Sequence, residues 1–586
     1  MLEKTYWERF LDVVEPHLPE YLHWNEICWT FVYYLAEARR HIHRWCRGME
    51  AWEIVVNTVT YCFYVWLVTE ILRWVIGWAF FREQSLKERV KKGVFKLVRR
   101  MPYIKDKIAR EMQQTMDEMG RSAFPVRPGE TFHMTLPAKG MKEKELMKEI
   151  DDYLKLGDVN WQEGRVSGAI YNGGKELTEV LTKVYSKYTW ANPLHVDIFP
   201  DVRKMEAEVV QMCVNMFRGG KDACGTMTTG GTESILLACK AYREWAHERR
   251  IEKPEIVAPI SIHAAFDKAA HYFNLKLVHI PVDEETRRCN IKAMKRAITK
   301  NTILLCGSAP QFPHGVIDPI EDMAKLARKY NLGLHVDACL GGFLVPFMKK
   351  AGFDLPPFDF TVEGVTSISC DTHKYGFSPK GSSVIMYSNK HLRRFQFFVA
   401  PDWQGGIYAC PTIPGSRPGA VIASTWAAMM YFGESGYVES TRKIIQTRMK
   451  IEAGLRKIKG IYVLGKPEVS VVAFGSKDFD IYRLADALTK RHWHLNSLQF
   501  PSSIHICVTY LNTQVGVADH FVKDVRECTA EILKDSSVKT SGMAAIYGMS
   551  QSIPDRSIVS ELACGFLDCM YTIGNAPAHE NGVLKN

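Results

Sequence analysis

Four short stretches of the 586-residue chain carry side chains that could do chemistry together. The first is Thr228-Thr229-Gly230-Gly231-Thr232-Glu233-Ser234, standing before the helix-like run ILLACKAYREW. Glycines admit an anion close to the chain, amides at a helix start favour negative charge, and the hydroxyls of Thr232 and Ser234 would add donors. The stretch could therefore cradle a phosphate, although alone it reads equally as a turn and an N-cap. The second is His263 in SIHAAFDKAA. Its imidazole could stack on a heteroaromatic ring, or simply be satisfied by its own helix terminus. The third is HVDA at 335–338, ending a β-branched run. Asp337 there could pair with a protonated pyridine nitrogen or cap the next element. The fourth is DTHKYG at 371–376. Flanked by His373 and Tyr375, Lys374 could be desolvated into a nucleophilic amine rather than stand as an exposed lysine.

Such parts work together only if one sheet edge holds them. Beyond residue 200, short β-branched runs alternate with helical ones: EIVAPI, a helix over 264–273, LKLVHI, helical NIKAMKRAI, TILLCG, helical EDMAKLARKY, LGLHVDA, SISCD and SSVIMYS. The alternation predicts right-handed βαβ units and a sheet that is largely parallel, and ligands of such sheets sit at the carboxyl ends of the strands. A phosphate loop, a stacking imidazole, a strand-end carboxylate and then a lysine, in that order, are what a pyridoxal 5′-phosphate (PLP) site takes from one sheet. After about residue 430 the pattern changes. A helix over Arg442–Ile458 leads to VSVVAFG, a helix near 482–490 and IHICVTYL, which predicts a small α+β domain.

Longer strings carry a resemblance more specific than any of these parts. WQEGRVSGAIY (161–171), NPLHVDIFPDVRKMEAE (192–208), TTGGTESILLACKAYR (228–243), APQFPHGVIDPI (309–320), HVDACLGGFLVPF (335–347), SCDTHKYGFSPKGSS (369–383) and DWQGGIYACPTIPGSRPG (402–419) resemble the fold-type I PLP enzymes in their group II decarboxylase branch. Within that branch the chain resembles the sphingosine-1-phosphate lyase family, from about residue 160 to 550. Thr229 stands where the pattern has Ser, and Cys370 before Asp371 is a second departure. Residues 1–50 match poorly, and nothing is carried over there.

The resemblance implies an α/β fold. A fold-type I large domain with a seven-stranded, mostly parallel sheet is joined to a small C-terminal α+β domain and an N-terminal transmembrane helix. It implies PLP as cofactor, with Lys374 as the Schiff-base lysine, Asp337 as partner of the pyridinium and His263 stacked on the ring. Gly230, Gly231, Thr232 and His373 would hold the cofactor phosphate. Tyr171, Asn192, His195 and Lys380 would surround the substrate's phosphate and hydroxyl. Tyr408, Ser416 and Arg417 would reach the active site of a partner subunit in a homodimer. The implied reaction is retro-aldol cleavage of the C2–C3 bond of a phosphorylated sphingoid base, giving a long-chain aldehyde and phosphoethanolamine. Lys374, His195 and Tyr171 are the candidates for its base. A PLP-dependent amino-acid decarboxylase and a non-catalytic membrane scaffold are the alternatives.

The start of the chain gives that chemistry a location. Ile54 to Thr69, IVVNTVTYCFYVWLVT, is free of charge; Glu70 and Arg73 interrupt, and Trp74 to Phe81 resume the apolar run. The clean stretch is short of the roughly 20 residues of a spanning helix, but aromatic residues near its ends resemble an interfacial belt and Arg73 could snorkel. An amphipathic or core helix is the other reading. Arg82, Lys87, Arg89, Lys91, Lys92, Lys96, Arg99 and Arg100 follow the span, against Arg39, Arg40, Arg44 and Arg47 before it. The positive-inside rule then puts the catalytic part in the cytosol and the N-terminus in the lumen, as a single pass through the endoplasmic reticulum membrane.

The expected segments are a lumenal stretch (1–53), the span (54–81), a basic linker with helical segment (82–175), the PLP domain (176–430), the small domain (431–545) and a fraying tail (546–586). Hydrophobic residues make up 46% and charged residues 24%, a folded balance. Much of the net charge of +10 lies just after residue 80, which suits a membrane surface rather than nucleic acid. No zinc-type Cys/His spacing occurs, so no metal is expected. The 15 cysteines are scattered singly, as in a chain facing a reducing cytosol.

Overall fold

The computed structural model describes residues 24–80, 101–123, 132–157, 159–534 and 556–571. The chain forms two compact units, residues 1–89 and 90–586. The first holds α1 (Trp24–Trp45) and α2 (Ala51–Phe80). Within α2, the 22 residues Ala51–Leu72 are long and apolar enough to cross a membrane. At 1.5 Å per residue they extend about 33 Å, against a hydrocarbon core of about 30 Å. The basic flank on which the topology expectation rests, residues 82–100, lies outside the described residues.

The second unit begins with α3 (Pro102–Ala123), α4 (Glu143–Leu154), α5 (Lys175–Tyr188) and α6 (Pro200–Met216). Seven strands then form one sheet: β1 (Cys224–Thr228), β2 (Glu255–Pro259), β3 (Lys276–Ile280), β4 (Thr302–Ser308), β5 (Gly333–Asp337), β6 (Ser367–Cys370) and β7 (Ser383–Tyr387). Their order is β1-β7-β6-β5-β4-β2-β3. Strands β2 to β6 pair in parallel, whereas β7 runs antiparallel to both β6 and β1. It follows that β1 points the same way as β6. The carboxyl ends of β1, β2, β5 and β6 therefore share one edge.

Helices α7 (Gly231–Glu248), α8 (Ala265–Phe273), α9 (Ile291–Ala297) and α10 (Ile320–Tyr330) connect these strands. The alternation of side chains along each strand splits the core into two. Val257, Leu305, Val384 and Met386 pack with α6 and α10, while Ile256, Leu304, Cys306 and Ile385 pack with α7 and α8. With both faces covered, the strands read as continuous apolar runs, as parallel strands do. The mostly parallel seven-stranded sheet expected from the sequence is what forms.

Beyond the sheet come α11 (Lys390–Arg394), the hairpin β8 (Phe398–Ala400) and β9 (Tyr408–Cys410), and α12 (Gly419–Leu455). Helix α12 corrects the helix expected over Arg442–Ile458. It starts 23 residues earlier and carries a kink at Gly433, whose φ of +56° is left-handed. Its first half is buried almost all round, from Gly419 to Thr425 and again from Ala427 to Met429. No polar stripe marks it as a helix, and the expected boundary at 430 falls inside it. The small sheet follows the order β10 (Tyr462–Val463), β11 (Val471–Gly475), β13 (Ser503–Cys507), β12 (Asn496–Leu498), antiparallel throughout, with α13 (Ile481–Thr489) and α14 (Val517–Lys534). The tail expected to fray contains a helix, α15 (Arg556–Cys569), whose Gly565 lies against Met116 of α3.

Candidate active site

Strand β1 delivers the glycine loop to the shared edge. Gly231 opens α7, and a Cβ there would stand 2.7 Å from Asp371 Oδ1 and 2.9 Å from Cys339 Sγ. Any other residue would push the loop away from the strand ends that carry Asp337 and Asp371. A Cβ at Gly230 would lie 3.6 Å from the His373 ring, so the loop and the lysine turn face each other. The Thr232 side chain is exposed at the loop. Ser234, expected as a second hydroxyl donor, is instead buried in the core, bonded to Thr228 Oγ1 at 2.7 Å and Ser383 Oγ at 2.9 Å. Thr229 is likewise occupied: its amide and hydroxyl donate to Glu233, whose other oxygen accepts from Ile413 N.

Asp337 ends β5 in register with Ser308 of β4 and Ser369 of β6. Its Oδ1 accepts from Cys339 N at 3.0 Å and Ser369 Oγ at 3.4 Å, and Oδ2 has no hydrogen-bond partner among the described residues. His263 follows β2 with its ring exposed, its Nδ1 accepting from Ala265 N at 3.1 Å. The imidazole is anchored at one nitrogen and open on its faces.

The turn after β6 places Lys374 back over Asp371, the two joined by an ion pair of 2.9 Å between Nζ and Oδ2. Asp371 is 2% exposed and its Oδ1 has no hydrogen-bond partner among the described residues. Burial would raise the Asp371 carboxyl, but the Lys374 and His373 charges outweigh it and hold the group below its ordinary range. For Lys374, burial works to lower the ammonium, and the Asp371 carboxylate more than reverses it. Asp371 was not among the residues expected to act. The signal was present as an acid one turn before the lysine. His373 packs beside the same carboxylate, Nε2 3.6 Å from Oδ2, and burial lowers its pKa.

Tyr171 lies against this turn, its ring edge-on to Tyr375 at 4.8 Å. Burial raises its phenol well above the ordinary value, which favours the protonated form. Lys380 Nζ stands 4.7 Å above the Tyr171 ring, a cation–π geometry, with no carboxylate partner among the described residues. Desolvation and the neighbouring Lys374 charge lower its pKa.

The remaining expected residues gather elsewhere. Asn192 Nδ2 donates to Ser416 Oγ at 3.1 Å, and Asn192 Oδ1 accepts from Arg417 N at 3.3 Å. The Arg417 guanidinium is buried in a two-pronged pair with Glu206, at 2.5 and 2.9 Å, and in this arrangement it is committed within its own chain. His195 sits on an exposed turn, tied through its backbone to Asn192. Tyr408 lies on β9, edge-on to Trp403 at 6.1 Å. Among the described residues, no hydrogen bond, ion pair or ring contact joins Asn192, His195, Tyr408, Ser416 or Arg417 to Lys374.

The residues at the strand ends fit PLP. A loop stripped of side chains faces a buried imidazole, a carboxylate oxygen is left unpaired at the end of β5, and an amine stands over a buried, half-satisfied Asp371. Comparison with known proteins agrees. Residues 125–477 match the pyridoxal-dependent decarboxylase conserved domain. The chain is 50% identical to sphingosine-1-phosphate lyase 1 of mouse (Mus musculus) over 540 residues, 92% of this chain and 93% of the mouse protein. It is also 50% identical to the sphingosine-1-phosphate lyase of Drosophila melanogaster, covering 90% of this chain and 96% of that one. The solved structure of a Burkholderia pseudomallei sphingosine-1-phosphate lyase superposes with a TM-score of 0.68 at 40% identity, over 70% of this chain and 96% of that one.

Proposed function

The chain belongs to the pyridoxal-dependent decarboxylase family and, within it, to the sphingosine-1-phosphate lyases, and from that premise we propose that it cleaves the C2–C3 bond of a phosphorylated sphingoid base, releasing a long-chain aldehyde and phosphoethanolamine. PLP, when bound, supplies the electron sink for the carbon that loses its bond. The observation that carries the substrate reading is the pair of lysines on one turn. Lys374 is held by Asp371 beneath the glycine loop, and Lys380 stands apart on Tyr171 without a carboxylate. With the cofactor phosphate assigned to the glycine loop and His373, and Lys374 to attachment, Lys380 is left as the cation for a second phosphate, that of the substrate.

The geometry supports the following division of labour. Gly230, Gly231 and Thr232 at the start of α7, with His373 opposite, hold the cofactor phosphate. Asp337, with Oδ2 free among the described residues, would pair with the ring nitrogen, and His263 would stack on the ring. Lys374 is the attachment point, and Asp371 stabilises its ammonium whenever that amine is released. Lys380 takes the substrate phosphate. Tyr171, protonated between the two lysines, positions the substrate and can deliver a proton. Of the three candidate bases, Lys374 is the one whose proton has a partner at hand, in Asp371.

We further place the enzyme in the endoplasmic reticulum membrane as a single-pass protein, with α2 as the span, the N-terminus lumenal and the catalytic unit cytosolic. The apolar length of α2 supports this, as do the 14 described cysteines, all of them free. A homodimer is supported by exposed apolar side chains, among them Trp403 and Ile407 of the 398–413 hairpin and Trp190 and Ile198. A bilayer anchor keeps the enzyme where a long-chain substrate resides. The reading is tested on detergent-solubilised, PLP-loaded full-length enzyme given a sphingoid-base phosphate or, separately, amino acids. Aldehyde and phosphoethanolamine in equal amounts are expected. Carbon dioxide from an amino acid without aldehyde from the lipid would replace the lyase with a decarboxylase.

A further inference from the structure

A buried file of hydrogen bonds ends on Asp337. Tyr242 of α7 places its hydroxyl 2.8 Å from Ser367 Oγ. Ser367 Oγ lies 2.8 Å from His335 Nδ1, His335 Nε2 lies 3.1 Å from Ser369 Oγ, and Ser369 Oγ donates to Asp337 Oδ1 at 3.4 Å. His335, Ser367 and Ser369 are all 0% exposed. His335 sits two residues before Asp337 on β5, so its side chain is on the same face of the sheet. The site described above uses Asp337 alone and leaves the other members of the file without a role.

The direction of the file is set by its ends. An ionised carboxylate only accepts, so the Ser369 proton must point to Asp337. Ser369 Oγ then has to accept from His335, which requires a proton on Nε2. A neutral imidazole carries one N–H, so Nδ1 is bare and accepts the Ser367 proton. At the far end, the Thr366 hydroxyl donates to Leu334 O and accepts from Leu334 N, so it has no proton for Tyr242. Tyr242, kept protonated by burial, has one proton to share between Thr366 Oγ1 at 2.6 Å and Ser367 Oγ at 2.8 Å. From Ser367 onward every proton can point toward Asp337, and aligned bonds polarise one another.

We propose that His335 is held as its Nε2–H tautomer and that His335 and Ser369 are positioning residues that hold the Asp337 carboxylate in the orientation in which it would meet the ring nitrogen of PLP. The inference rests on the cofactor part of the reading above and not on the identity of the substrate. Burial pushes the His335 pKa down to about 4, so the ring stays neutral at physiological pH, as a one-proton relay requires. The Ser369 donor adds to that of Cys339 N, and the two together fix Asp337 Oδ1 and leave Oδ2 to the site.

The test is 15N NMR of the full-length, PLP-loaded enzyme labelled at histidine, without substrate. The His335 signals are assigned by their loss in His335→Gln. A protonated Nε2 with a bare Nδ1 is expected. In Ser369→Ala the Nε2 partner is lost, so the tautomer should switch to Nδ1–H. PLP affinity should fall about tenfold, the scale of one hydrogen bond to a charged group. In Ser367→Ala the tautomer should stay Nε2–H. A native Nδ1–H ring, a native imidazolium, or a tautomer unchanged by Ser369→Ala would each overturn the proposal, and the native spectrum decides even if a variant does not fold. An enzyme with the expected tautomer that cleaved no sphingoid-base phosphate would refute the substrate reading and leave this one intact.

Discussion

The lysine turn at 371–380 and the hairpin region at 398–417 both carry residues expected at the active site, and they differ in how complete they are within one chain. In the turn, Asp371, Thr372 and Tyr375 are each at most 2% exposed, and Lys374 has its counter-ion in place. The hairpin leaves Trp403 60% and Ile407 81% exposed, and its Arg417 is occupied by Glu206. A buried ionic group must find its partner within the fold or pay a desolvation penalty of several kcal/mol. An exposed apolar loop has no such requirement until another surface covers it. The turn therefore has its ionic partners within the chain, and the hairpin carries the exposed apolar side chains on which the proposed homodimer rests.

The largest effect that would break this comparison is at the turn itself. Lys374→Ala removes the amine to which PLP attaches, and turnover should fall by at least about a thousandfold, below routine detection. Circular dichroism should show the fold retained. Near-normal turnover in that variant would mean that the buried pair with Asp371 is purely structural.

Ile407→Asp addresses the hairpin. A charge placed in a patch that a second subunit covers should shift the enzyme toward monomer in sedimentation velocity and reduce activity in proportion. The Lys374–Asp371 turn should be unaffected, so PLP should still bind the monomer. An unchanged dimer would show that the exposed apolar side chains lie outside the interface.

A smaller effect concerns the buried histidines around the turn and small domain. Burial lowers His314 to about 3, and His335 and His505 to about 4, from an ordinary 6.5. Their unfolded forms bind protons first, so this stability is complete above pH 6.5 and is lost as pH falls toward 4. Denaturant unfolding of the catalytic unit between pH 7 and 4.5 should show a loss of a few kcal/mol. A flat profile across that window would mean that these rings become charged in the folded protein.

How much of this was legible in the sequence depends on whether a signal was local. The glycine loop, His263, Asp337 and Lys374 could be placed on one edge because strand–helix alternation fixes where strands end, and the sheet forms as that alternation requires. Ser234 was misjudged because a hydroxyl at a helix start carries no mark of which way it faces; here it turns inward to Thr228 and Ser383. The start of α12 was missed because a helix buried all round has no polar stripe to reveal its period. Arg417 found Glu206, 211 residues away in sequence, a pairing that no spacing rule can supply. Asp371 was within reach: an acid three residues before a lysine in a tight turn is a local pattern.

The most direct measurement separates the two lysines of the turn. Lys380→Ala, loaded with PLP, should keep cofactor affinity within about twofold of native while KM for the sphingoid-base phosphate rises about ten- to a hundredfold, the scale of a lost charge-assisted bond to phosphate. Measured side by side by equilibrium dialysis and by initial rates, these two numbers decide whether Lys380 serves the substrate phosphate or the cofactor. A fall in PLP affinity with KM unchanged would contradict the account and assign Lys380 to the cofactor.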